Sequence, residues 1–170
     1  MTFPQTFPQT FAQDVIAQPS KAQIESFVDE HRAALRQSLE GLGEAQARRS
    51  LVPSAATLLG LVKHASYVEK VWFDQAVTGR SRAEIGIPED SSESFLLTDA
   101  DTVESVSRAH AETCELSRRA TASLGLDDVL TGHHLGALPL RWVYLHVLRE
   151  LAQHCGHADI LREQVLAERG

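Results

Sequence analysis

Four residues near the C-terminal end of the sequence, His146, Glu150, His154 and His157, carry side chains that bind first-row divalent metals, and they are spaced four, four and three apart. That spacing stacks side chains on one side of an α-helix. At about 100° per residue, with His154 as zero, Glu150 falls near −40°, His157 near −60° and His146 near −80°. Val143, Val147, Leu151, Ala158 and Leu161 span roughly −20° to +60° on the same wheel. His154 therefore lies inside the core-facing stripe, flanked by the other three. A second core-facing histidine, His64, sits three after Leu61 and four before Val68. One buried histidine is more often a hydrogen-bonded core residue than a ligand, and one-turn Glu–His pairs are common on helix surfaces. Several such groups aimed at one core point instead to a metal. Imidazole nitrogen with carboxylate oxygen suits zinc, with nickel or iron as alternatives. Three protein ligands and an open position make a site that turns bound water into a nucleophile. The reading is a metal held by His64, Glu150 and His154, with His157 and His146 as acid/base or orienting groups and His157 an alternative ligand to Glu150.

The remaining histidines, His31, His110, His133 and His134, have no paired ligand nearby and read as solvated or loop residues. Cys114 reads as a small core hydrophobe, and Cys155, at about +100° on the wheel, is turned away from the site.

Four long amphipathic segments must position these side chains. Residues 1–19 hold the near-repeat TFPQ-TFPQ-TFAQ and read as an irregular arm whose phenylalanines dock on the domain or a partner. A single domain is expected over 20–170. Ser20 is the expected N-cap of the first helix, with Gln23 completing a capping box, and Gly41 or Gly43 ends it. A short turn over 44–49 precedes a second helix over 54–77, stopped by Thr78 and Gly79. Residues 79–97 hold glycines, Pro88 and a serine cluster, so they form a long connection. Thr98 with Asp99 and Asp101 suits the start of a third helix running to about residue 123. Val103, Val106, Cys114, Leu116 and Ala120 are its inward candidates. Residues 124–138 form another loop, and Pro139 suits the first turn of the last helix. The expected fold is all-α, a four-helix bundle with a long crossover loop.

The chain is long enough at 170 residues to bury a core. A formal charge of −7 argues against nucleic acid as a partner. No apolar run approaches the roughly 20 residues that span a bilayer, and no basic region precedes Lys21 to suggest a secretory signal. Two cysteines without CxxC spacing make no disulfide framework, so a cytoplasmic location is expected. Bundles of this kind often pair, which makes a homodimer the expected assembly.

The stretches SLVPSAATLLGLVKHASYVEKVWF and LPLRWVYLHVLRELAQHCGHADILRE together resemble the DinB/YfiT-like superfamily of four-helix-bundle metalloenzymes. Within it, the chain is most similar to the branch called mini-circle proteins, related to the N-terminal domain of mycothiol-dependent maleylpyruvate isomerase. The resemblance covers nearly everything after residue 20. It implies one metal ligand from the second helix and two, four residues apart, from the last, which places His64, Glu150 and His154 at the ligand positions. Many members read HxxxHRGQ where this chain reads ExxxHCGH, so His157 stands where a non-ligand polar residue is usual. The implied function is a divalent-metal-dependent enzyme that activates a low-molecular-weight thiol such as mycothiol, or water, for transfer, isomerisation or hydrolysis on a small molecule. The alternative is a non-catalytic metal-binding or dimerisation module, such as a stress-related one.

Overall fold

The computed structural model describes residues 11–167, with side chains from Gln13 onward. The protein is an all-α bundle built from α1 (Ser20–Gln37), α2 (Leu58–Glu69), α3 (Val103–Thr121) and α4 (Leu140–Ala167). A π-helical stretch, Lys70–Gln75, and a last α-turn, Ala76–Thr78, prolong α2. The strands β1 (Val129–Leu130) and β2 (Leu138–Pro139) form a minimal antiparallel ladder before α4. Of the expected arm, residues 1–10 lie outside the described residues, Phe3 and Phe7 among them. Residues Phe11–Val15 form a 3-10 turn that leads into α1.

Helix directions follow from the pairs that touch. Glu25 meets Tyr144, His31 meets Cys155 and Ser38 meets Arg162, so α1 and α4 run parallel. Asp29 meets Arg118 while Arg36 meets His110, so α1 and α3 are antiparallel. His64 with His154 and Phe73 with Tyr144 make α2 and α4 antiparallel. The order is therefore up, down, down, up. Because α2 and α3 point the same way, residues 79–102 must travel back along the bundle, and this crossover passes over the N-terminal half of α2.

The helix starts differ from expectation in an instructive way. Ser20 opens α1 without capping it; Gln23 reaches back with its Nε2 to the carbonyls of Ile16 (2.8 Å) and Gln18 (2.9 Å) instead. Thr57, rather than Ser54, caps α2 by accepting from the Gly60 amide. Thr102, rather than Thr98, caps α3 in a capping box with Ser105. Thr98 and Lys63 hold the Asp101 carboxylate. Pro139 lies in β2, one residue before α4.

Phe73, Leu35, Leu58, Leu59, Leu61, Leu140 and Leu151 are among the fully buried core side chains. The inner face of α3 is polar: His110, Thr113, Cys114, Ser117 and Thr121 are buried, whereas Leu116 is 62% exposed, against expectation. The hydroxyls of Thr113, Ser117 and Thr121 donate to carbonyls one turn earlier, which satisfies them without any partner helix. Between α1 and α2, Arg32 donates to both carboxylate oxygens of fully buried Glu69, at 2.8 and 2.5 Å. Its remaining nitrogen reaches Asp29.

Candidate metal centre

His64 comes from the N-terminal half of α2, and Glu150 and His154 from the middle of α4. The antiparallel pairing of those helices brings them together, with a ligand atom of each lying within 4.8 Å of the other two. The imidazoles of His64 and His154 meet edge to face, with centroids 4.8 Å apart. Oε2 of Glu150 lies 3.9 Å from Nε2 of His154, and its other oxygen accepts from Arg149 at 3.0 Å. Both ring nitrogens of His154 are buried with no hydrogen-bond partner among the described residues. Buried polar atoms normally have partners, and an imidazole gives one nitrogen to an ion, so one of these two atoms, set in a His/Glu/His cluster, fits a divalent cation.

Protonation favours the same role. Burial, with His154 close by, pushes the His64 pKa down to about 3. Burial also lowers that of His154, outweighing the opposite pull of Glu150. Both rings are therefore neutral near pH 7, the form that binds metals.

His146 and His157 flank this centre on different sides. His146 packs against Trp72 (4.2 Å) and Trp142 (5.1 Å, nearly parallel), whose rings also meet each other at 5.7 Å. Its Nδ1 accepts from Arg149 at 3.1 Å, and its Nε2 lies 4.0 Å from Glu150. His157 is exposed, its ring 5.9 Å from that of His154. It lines a groove of about 300 Å³ with Val52, Ser54, Ala56, Ile160 and Leu161.

Of the histidines expected to be solvated or in loops, two are buried, His110 within α3 and His133 in the loop between β1 and β2. His110 is wholly enclosed, accepting from Arg36 at its Nδ1 with its Nε2 3.5 Å from the Cys114 sulfur. His133 stacks on Trp72 at 4.4 Å. A second cavity, of about 310 Å³, lies between α1, α3 and α4. Lys21, Asp29, Arg118 and Tyr144 at its wall already bond to neighbouring groups. Both cysteines are buried, and burial pushes each thiol up to about 12, so neither is a nucleophile.

Sequence reasoning missed the crossover's part. The short 3-10 turn Ser91–Phe95 lies against α2, with Ser94 Oγ 2.6 Å from His64 Nδ1 and the Phe95 ring stacked 3.9 Å from the imidazole. The available signal was the apolar run Phe95-Leu96-Leu97 following the polar stretch 89–93. Phe95 and Leu97 of that run pack on the core while Leu96 stays exposed, and nothing in the run says where it docks.

The chain matches the mycothiol-S-transferase family model over residues 23–167, a range that includes all four long helices except the first turn of α1. The chain belongs to the mycothiol-S-transferase family. That family is of the DinB/YfiT-like type, and its description is of a transferase acting with a small thiol. No curated protein matches the chain. Like the rest of the molecule, the matched region has no helix, among the described residues, long and apolar enough to cross a membrane.

Proposed function

We propose that this mycothiol-S-transferase family member is a divalent-metal-dependent enzyme that transfers a low-molecular-weight thiol, mycothiol or a close analogue, onto a small electrophile. The observation that carries the reading is the cluster of His64, Glu150 and His154, in which buried His154 has no hydrogen-bond partner for the ring nitrogen it would give to an ion. His64, Glu150 and His154 would hold the ion, with zinc favoured by the two imidazoles and one carboxylate. A metal in such a site stabilises a thiolate near neutral pH. Glu150 is held for this by Arg149 on one oxygen, which leaves the other facing His154. His146, packed against two tryptophans, would help to orient Glu150 from beside the oxygen that Arg149 holds. Exposed His157, its ring 5.9 Å from that of His154, would accept the thiol proton on a ring nitrogen. The sulfur bonds to the electrophilic carbon as this happens, and the electron pair of the bond it breaks leaves with the displaced group. The groove beside His157 receives the electrophile's apolar part.

Elemental analysis of the purified protein tests the ligand set. One divalent ion per chain is expected, with retention lost in His64→Ala and His154→Ala variants that keep wild-type helicity. Full retention in either variant would remove that residue from the set. With mycothiol and a model electrophile, the metal-loaded protein should turn over and chelator-treated protein should not. His157→Ala should lower kcat by roughly 10²-fold or more with little change in bound metal. Stoichiometric metal without turnover on any thiol would favour the non-catalytic module.

A further inference from the structure

We propose that Ser94, on the crossover between α2 and α3, is a positioning residue that fixes the tautomer of His64. The inference rests on the reading of His64 as a ligand, but its geometry is independent of any ion. Ser94 is buried, with 4% of its surface exposed, and its hydroxyl oxygen touches two groups at once. One is Nδ1 of His64 at 2.6 Å, and the other is the backbone carbonyl of Ser91. A hydroxyl has one proton to give. The carbonyl of Ser91 can only accept, so the contact with it requires the Ser94 proton. The oxygen of Ser94 must then accept from His64, and Nδ1 carries the hydrogen. The chain reads Nδ1–H to Oγ–H to carbonyl. The opposite arrangement would set two oxygen lone pairs against each other at hydrogen-bond distance.

The consequence falls on the other nitrogen. With Nδ1 protonated, the neutral ring bares its lone pair at Nε2, the nitrogen left for an ion shared with Glu150 and His154. Phe95, stacked on the same ring at 3.9 Å and 13°, holds its plane but has no hydrogen bond to offer. Two residues of one 3-10 turn thus play separate parts. Phe95 sets the plane of the imidazole, and Ser94 sets where its proton sits. Metal-binding histidines commonly need such a partner at the second nitrogen, and its loss typically costs roughly 10–100-fold in affinity.

The test is nitrogen-15 NMR of histidine-labelled, metal-free full-length protein, together with zinc affinity by chelator competition. Wild type should show His64 protonated at Nδ1 and bare at Nε2. In Ser94→Ala the ring should move to the Nε2–H form or a mixture, and zinc should bind roughly 10–100-fold more weakly. Phe95→Leu, which disturbs the same turn without removing the hydroxyl, should keep the Nδ1–H signature. Wild-type His64 protonated at Nε2, or Ser94→Ala unchanged in both readouts, would overturn the proposal. So would Phe95→Leu shifting the tautomer as far as Ser94→Ala does. A wild type that binds no zinc yet shows the tautomer shift in Ser94→Ala would sink the metal reading and leave the positioning role standing.

Discussion

At the scale of single residues, the histidines divide by what meets their second nitrogen. His64 has a hydroxyl and His146 an arginine, His110 sits between an arginine and a sulfur, and His154 has nothing. His110 makes a pH prediction that does not involve the metal centre. Burial pushes its pKa down to about 3, helped by the cations of Arg36, Arg32 and Arg118. In the unfolded chain it returns to about 6.5. Between those values the unfolded state takes up a proton that the folded state refuses, so stability is full above about pH 6.5 and falls as the pH drops towards 3. This one group contributes a slope of about 1.4 kcal/mol per pH unit. Denaturant unfolding between roughly pH 4 and 5.5 should show that slope diminished by about this amount in His110→Gln; an unchanged slope would mean that His110 is not the group responsible. The misreading of His110 from the sequence has a physical cause. Val106 and Cys114 are expected on the inner face of α3, but His110 is buried there beside Thr113, Ser117 and Thr121, which hydropathy alone assigns to solvent, while Leu116 on the outside widens the apolar stripe in the wrong direction.

At the scale of elements, spacing within a helix was legible and what joins helices was not. The periodicity of α4 placed Glu150 and His154 on one side, and that of α2 aimed His64 inward; both follow from 3.6 residues per turn. The crossover has no period, so the contacts of Ser94 and Phe95 with His64 could not be read from it. The π-helical stretch Lys70–Gln75 was equally hidden, although it carries Trp72, which supports both His146 and His133. The turn before β2 is fixed to this region by a close approach. The Gly132 amide donates to Ala76 at 3.0 Å, and a Cβ on Gly132 would stand 2.2 Å from the Gln75 carbonyl oxygen and 2.6 Å from the Gly79 nitrogen. These are backbone atoms that cannot turn aside. Gly132→Ala should therefore lose about 1–3 kcal/mol, seen as a lower Tm. Gly136→Ala provides a contrast, since nothing lies within 4 Å of its added carbon and only its φ of +90° is strained. A stability for Gly132→Ala equal to wild type would mean that the loop lifts off α2 freely.

For the whole molecule, the up-down-down-up order decides which parts depend on which. The principal neighbour of α1 is α4, and that of α2 is α3, so each pair joins an early helix to a late one. The centre repeats this division, with His64 before the crossover and Glu150 and His154 after it. The crossover exposes Glu89 and Asp90 just ahead of the turn that touches His64. A chain opened between those two residues yields two fragments, each with two of the four long helices and neither with a complete principal pair. Each fragment alone should stay largely unfolded, because a helix in water without its packing partner is marginal. Mixed, they should associate into a helical complex, with Ser94 and Phe95 arriving on the second fragment. Circular dichroism of the separate and mixed fragments checks this, and high helicity in either one alone would contradict it. The long return of the chain between α2 and α3 thereby makes this bundle a natural two-piece reporter, whose halves regain helicity only when they meet.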